Sequence, residues 1–398
     1  MLKNARLRSG RVCDISIADG VIRGIGENFT GPAEHTVDVE GRLVTETFVV
    51  AHLHLDKVMT VALAGDAAME EYHGSAMAGA MTAIEMASKV KQNYTESEAV
   101  ERGRKVLHEA EYYGVSHMRT FADVDPRVGL TAIKAMLKLK EEFMDKIALQ
   151  VVAFPQDGII REPGTEEILR SAMDLGADVV GGIPWIELTE EESRQHVDTC
   201  FQIAKKYDAD VAMLTDDAGD PNLRTTEYLA AAAIRTGWIG RVTACHARAT
   251  ALYNEVHHRK LLELLRKAEL GIVTDPHTGP LHVRVRDLLT AGVNVALSQD
   301  DVNDAYYPYG RCNLLEVAFL ASHILQMMSA QDRDILYDMI TVNAARIMRL
   351  NDYGLAVGKP ANLVVLNSQD LREAFVNHSE PVYVIRNGVV RQNSRTGR

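Results

Sequence analysis

Phe48-Val49-Val50-Ala51-His52-Leu53-His54-Leu55-Asp56-Lys57 joins an apolar run to two histidines one residue apart. The run reads as a buried strand, and alternate side chains of a strand share a face. His52 and His54 therefore leave the strand end in one direction, close enough to hold a single metal ion through neutral imidazole nitrogens. The bland alternative is a histidine pair in an ordinary strand, since His-x-His also arises by chance. Context has to decide between the two.

Downstream, the chain alternates helix and strand. Thr95 and Glu98 form a capping box, Val100, Val106, Leu107 and Ala110 share the inward face of the helix that follows, and Gly114 ends it. A strand follows over 115–123. Further units are helix 128–143 with strand 148–156, helix 166–174 with strand 178–184, and a helix capped by Thr189 and Glu192 with strand 210–215. Helix 224–235 precedes strand 241–246, helix 254–268 precedes 271–275, and helix 283–291 precedes 293–300. With the strand at Phe48 these make eight β-then-α units in succession, which predicts an α/β chain folded as a closed (β/α)8 TIM-type barrel over 48–349.

Residues 1–47 are short alternating segments broken by turns, with an Asp19-Gly20 hairpin signal, and similar text returns in Ala361–Leu366 and Val382–Val390. The expectation is a small β-sandwich built from both termini, 1–47 plus 350–398. The Met-, Ala- and Gly-rich stretch from His54 to Asn93 shows no clean period. It reads either as a long connection with an irregular helix or as a lid over the site.

Chemistry in such barrels sits at the C-terminal strand ends. Here those ends carry His52 and His54, Asp123, Gln156, Glu187 close by, Asp216 and Asp217, His246, then Asp300 and Asp301. Some carboxylates fall there as helix N-caps, but histidines and carboxylates together favour a catalytic metal site.

The 398 residues suffice for one large domain and a smaller one, and 46% hydrophobic with 25% charged residues is the balance of a globular protein. A formal charge of −12 argues against nucleic-acid partners and against a polybasic membrane anchor. Cys13, Cys200, Cys245 and Cys312 form no CxxC pair and read as reduced thiols; with no signal-peptide core and no membrane-spanning run, a cytoplasmic location is expected.

At these residues the chain resembles the amidohydrolase superfamily, in particular its cytosine deaminase branch, which includes N-isopropylammelide amidohydrolase. The resemblance rests on His-Leu-His-Leu-Asp-Lys at 52–57, Val152–Gln156, Gly176–Pro184, Gly240–His246, Asp300-Asp301-Val302 with Tyr307–Gly310, Thr341–Arg346 and Val357–Leu366, and spans essentially the whole chain. It implies a metal-dependent hydrolase acting on a C–N bond of a small nitrogen heterocycle, most simply a hydrolytic deaminase. The alternatives are a ring-opening cyclic amidohydrolase and a metal-free homologue that binds a ligand without turnover. The implied cofactor is one divalent ion, zinc or iron, on His52, His54 and Asp300. A homo-oligomer is a possible assembly.

The resemblance also implies roles. Asp300 would take the proton of the attacking water, His246 would stabilise the tetrahedral centre, and Asp217 would shuttle protons to the ring nitrogen and leaving amine. Gln156 would read an amide-like ring edge, Asp301 and Lys57 would contact substrate, and Trp185 would stack on a flat ring. Two positions depart from the family. Leu214 stands where a third metal histidine is carried, and Phe121 where the branch usually has another histidine. Asp216 or Asp217 is expected to help the remaining ligands, with Asp216 reaching toward the metal. Asp275, His277 and His282 are expected near the pocket, and His257-His258 on a solvent-facing helix surface.

Overall fold

In the computed structural model, residues 1–27, 29, 33–64, 66–91 and 93–392 are described. Eight parallel strands form one sheet: β1 Phe48–Leu53, β2 Val115–Asp123, β3 Ala148–Phe154, β4 Val179–Gly182, β5 Asp210–Thr215, β6 Val242–His246, β7 Gly271–Thr274 and β8 Val295–Leu297. Each pairs with the next in chain order. The ring closes just beyond β8, where Leu53 bridges Asp300; the His54 N–H donates to the Asp300 carbonyl at 3.0 Å and the Asp300 N–H to the His52 carbonyl at 3.1 Å. Closure thus lies on the residues that the sequence marks for chemistry.

Strand side chains divide between two apolar layers. Val49, Ala51, Phe121, Val152, Phe154, Ala212, Leu214, Cys245, Val273 and Ala296 fill the barrel interior. Val50, Leu53, Met118, Val151, Val211 and Ala244 face the surrounding helices. Strict alternation would put Ala51 and Leu53 on one side. A register irregularity between Val50 and Leu53 breaks the pattern, so Leu53 joins the outer layer while His52 and His54 both meet the interior ring of Phe121.

The helix ends are those the sequence marks. Thr95 with Glu98 and Thr189 with Glu192 form full capping boxes, and Gly114 takes a φ of 85° after the first of these helices. The stretch after β1 is helical, with helices Asp66–His73 and Ala80–Lys91 around a short 3-10 turn. Tyr72, Met77 and Ile84 from this segment join the interior apolar layer, so it is a helical cover over the strand ends.

The termini build two further four-stranded sheets. One contains Leu2–Arg6, Val12–Ala18, Val21–Gly26 and Val37–Asp38; the other pairs Val44–Glu46 with Leu363–Val365, Tyr383–Arg386 and Val389–Gln392. Leu2, Ile15, Ile22, Val44, Leu363, Val365 and Ile385 share one buried cluster between them. Asp19 and Gly20 both have positive φ, 53° and 74°, the signature of a tight type I′ hairpin. All four cysteines are buried and unpaired, and among the described residues no helix is long and apolar enough to cross a membrane.

Candidate active site

At the C-terminal strand ends, His54, Gln156, Leu214, Asp217, His246, Asp300 and Asp301 line a cavity covered by Tyr72 and Ile84 of the helical segment and by Tyr306. The backbone is strained there. His246 and Asp300 have φ of 67° and 63°, a region that side chains other than glycine occupy at a cost of about 1–2 kcal/mol each. Such conformations persist where the surroundings hold the residue in place, and these two side chains are turned toward each other across the barrel mouth.

His52, His54 and Asp300 bring one nitrogen or oxygen each to within 4.8 Å of one another, and His246, Asp275 and Asp300 form a second such group. The His52 Nε2 lies 2.9 Å from Asp300 Oδ1, His54 Nε2 lies 3.9 Å from the same oxygen, and His52 Nδ1 is buried without a hydrogen-bond partner. Burial lowers the pKa of His52 and strongly lowers that of His54, favouring neutral imidazoles. Burial also opposes ionisation of Asp300, but His246 and His52 outweigh it and hold the carboxyl well below its usual range. Two neutral imidazoles, an ionised carboxylate and an orphaned ring nitrogen form a donor set suited to zinc or iron(II).

His246 is the charged partner. Burial alone would depress it, but Asp217, Asp275 and Asp300 outweigh burial and raise it to about 9. Its Nδ1 lies 3.0 Å from Asp275 Oδ1. Arg248, fully buried two residues on, ties these acids together: its Nε donates to Asp217 Oδ1 at 2.7 Å, and its Nη2 donates to Asp275 Oδ2 at 2.6 Å and to Thr278 Oγ1 at 2.8 Å. The other Asp217 oxygen accepts from the Tyr72 hydroxyl at 3.3 Å.

Asp216 does not reach toward this centre. With φ of 49° its carboxylate turns outward and accepts from the Thr225 N–H and hydroxyl at 2.7 and 2.6 Å and from the Thr226 N–H at 3.1 Å, capping helix Thr225–Thr236. Trp185 is not brought to the cavity wall either. The 3-10 turn Pro184–Ile186 tucks its ring into the interior layer beside Ile183 and Ile186. His258 is buried beside Asp287 rather than solvent-facing, while His257 pairs with Glu227. Phe121 packs edge-on against His52 with centroids 4.3 Å apart, and Leu214 forms cavity wall.

Asp301 lies in the cavity wall, and burial together with Asp300 and Asp304 pushes its pKa well up. The Lys57 ammonium is 2.9 Å from Asp123, 2.5 Å from Gln156 Oε1 and 3.4 Å from His54 Nδ1. Behind it, Lys91 meets Asp123, Asp125 and Asp157 at 3.0, 2.6 and 2.9 Å. Tyr72, Lys91, Arg248 and Tyr306 escape a reading by motif. The carboxylates that Tyr72, Lys91 and Arg248 meet lie at or just beyond the ends of strands far from them in sequence.

A parallel barrel whose strand ends converge imidazoles and carboxylates on a small covered cavity has the architecture of a barrel enzyme. The chain belongs to the amidohydrolase family, whose model matches residues 35–392, and it is an enzyme of the hydrolase or deaminase kind. N-isopropylammelide isopropyl amidohydrolase of Pseudomonas sp. (strain ADP) is 32% identical over 391 residues, 98% of this chain and 96% of the relative. Pterin deaminase of Rhizobium rhizogenes is 28% identical over 394 residues, 95% of this chain and 87% of the relative. The crystal structure of 5-methylcytosine deaminase from Klebsiella pneumoniae liganded with 5-fluorocytosine superposes with a TM-score of 0.89 at 32% identity, covering 100% of this chain and 98% of that one.

Proposed function

We propose that this enzyme hydrolyses an exocyclic C–N bond of a nitrogen heterocycle, releasing ammonia or an amine as a cytosine-deaminase-like deaminase. The observation that carries this reading is the convergence of His54, Gln156, Asp217, His246, Asp300 and Asp301 on one covered cavity at the barrel mouth. Relatives named for action on an ammelide, a pterin and 5-methylcytosine support the substrate class.

In this reading His52, His54 and Asp300 hold one divalent ion, zinc or iron. When bound, such an ion supplies an acidified water and polarises the bond under attack. Three protein donors suffice for a catalytic ion, so Leu214 does not preclude it.

The residues of the chain do the rest. The ionised Asp300 accepts the proton lost by the attacking water, and charged His246 donates a hydrogen bond where negative charge develops. Arg248 holds one oxygen of Asp217, leaving the oxygen beside Tyr72 to carry a proton to the ring nitrogen and then to the leaving amine. Gln156 meets an edge of the ring, Asp301 contacts it from the segment after the eighth strand, and the Tyr72–Ile84 cover excludes water.

The test is a panel of cytosine, 5-methylcytosine, aminotriazines and a pterin, offered to protein purified with zinc, iron or manganese. Ammonia or amine release with the ring absorbance retained is the expected result. Metal-loaded protein that releases neither from any member refutes the reading, and loss of ring absorbance instead identifies ring opening.

A further inference from the structure

The contact between Lys57 and Gln156 assigns a direction to an otherwise ambiguous group. A glutamine side chain is nearly symmetric in shape but not in chemistry, with an acceptor on one arm and two donors on the other. An unrestrained Gln156 would flip and read either kind of ring edge. Here it cannot turn freely. Lysine ammonium has donors and no acceptor, so the atom 2.5 Å from Lys57 Nζ must be the carbonyl oxygen, Oε1. Among the described residues the Gln156 amide nitrogen makes no hydrogen bond, and the residue lines the cavity.

Lys57 is itself held. Besides Gln156 it pairs with Asp123 Oδ1 at 2.9 Å, lies 3.4 Å from His54 Nδ1, and sits over the Phe154 ring at 5.4 Å from the centroid. Asp123 and Gln156 thus hold the ammonium from two sides, one as an ion pair and one as a hydrogen-bond acceptor. Both side chains are buried, Lys57 at 6% and Gln156 at 5% exposure, so solvent does not compete for the contact.

We propose that Lys57 is a specificity-determining residue that acts through Gln156: it fixes the amide with its NH2 toward the cavity, so the site selects heterocycles presenting a carbonyl oxygen at that edge. This rests on the heterocycle reading above and goes beyond it by naming the polarity of one substrate edge. A site with a fixed donor rejects a ligand offering a second donor, because one of two facing N–H groups is then buried unpaired.

The experiment compares cytosine with 2,4-diaminopyrimidine, in which an amino donor replaces the ring carbonyl, by equilibrium binding and by ammonia release. Wild type is expected to prefer cytosine by about 100-fold or more. In Lys57→Met the preference should fall to within about tenfold, mostly through KM, because Gln156 is then free to flip. Lys57→Arg should retain most of it by supplying another donor. Lys57→Met leaves Asp123 without one of its cations, so Lys57→Met/Asp123→Asn is measured beside it and is expected to show the same loss of preference. Equal binding of the two compounds by wild type, binding of neither, or an unchanged ratio in both Met variants overturns the inference. Absence of ammonia release with the binding preference intact would instead refute the functional reading alone.

Discussion

Replacing Lys91 by methionine should loosen the helical cover without unfolding the barrel. Lys91 is the last residue of helix Ala80–Lys91, is 3% exposed, and is the cation through which that helix meets three buried carboxylates. Burial alone would lower its pKa, but Asp123, Asp157 and Asp125 outweigh this and raise it, so it is charged at any working pH. Removing one partner of a buried pair costs about 3–5 kcal/mol. The structure selects the lower end. Asp123 keeps Lys57 at 2.9 Å, and Asp157 keeps Arg127 at 2.7 Å and the Ser88 hydroxyl at 2.8 Å. Asp125 Oδ1 keeps the N–H groups of Arg127 and Val128, while its Oδ2 is left with no cation once Lys91 is gone. A loss of about 3 kcal/mol corresponds to roughly two decades in an opening equilibrium, about 1.4 kcal/mol per decade. Hydrogen exchange of the peptide over residues 80–91 should therefore quicken about 100-fold, with the β2 and β3 peptides unchanged. Lys91→Met/Asp125→Asn should recover part of the protection, since a neutral amide needs no counter-charge. Unchanged exchange over 80–91 in Lys91→Met would refute the latch.

Asp300→Asn and His52→Asn should each abolish stoichiometric metal in protein purified from supplemented medium, whereas Leu214→His should raise metal affinity by at least tenfold; metal analysis after dialysis reads both, and full retention of metal in Asp300→Asn would remove it from the ligand set. Asp217→Asn should cut turnover by 100-fold or more while leaving metal content unchanged, and wild-type turnover would exclude it as the proton carrier. Burial, with Arg386 adding to it, depresses His117 to about 3. A folded pKa below the unfolded value means stability that is present above pH 6.5 and is lost as pH falls toward 3, so wild type should lose about 2–3 kcal/mol more than His117→Phe between pH 7 and 4.5 in urea titrations. Deleting residues 350–398 should leave residues 1–47 insoluble or unfolded, because Val44–Glu46 would lose its partner strand Leu363–Val365; a stable amino-terminal sheet would refute a shared core.

Much of this protein is written in local text. The eight β-then-α units, the capping boxes at Thr95 and Thr189, the Asp19-Gly20 turn and the His-x-His at a strand end all follow from short-range periodicity and side-chain chemistry, which the folded chain keeps. What the sequence by itself could not decide depends on backbone signs and distant partners. A left-handed φ at Asp216 sends its carboxylate to cap a helix and leaves Asp217 in the cavity, although a strand pattern alone permits either. Trp185 looks like a rim aromatic until the turn at Pro184 folds it inward. Arg248 and Lys91 show no motif, because each is defined by carboxylates at or just beyond the ends of strands distant in sequence, which only the folded sheet brings within reach. The convergence of His52, His54 and Asp300 is itself the pairing of the first strand with the segment after the eighth, a contact between residues almost 250 positions apart that no local pattern specifies.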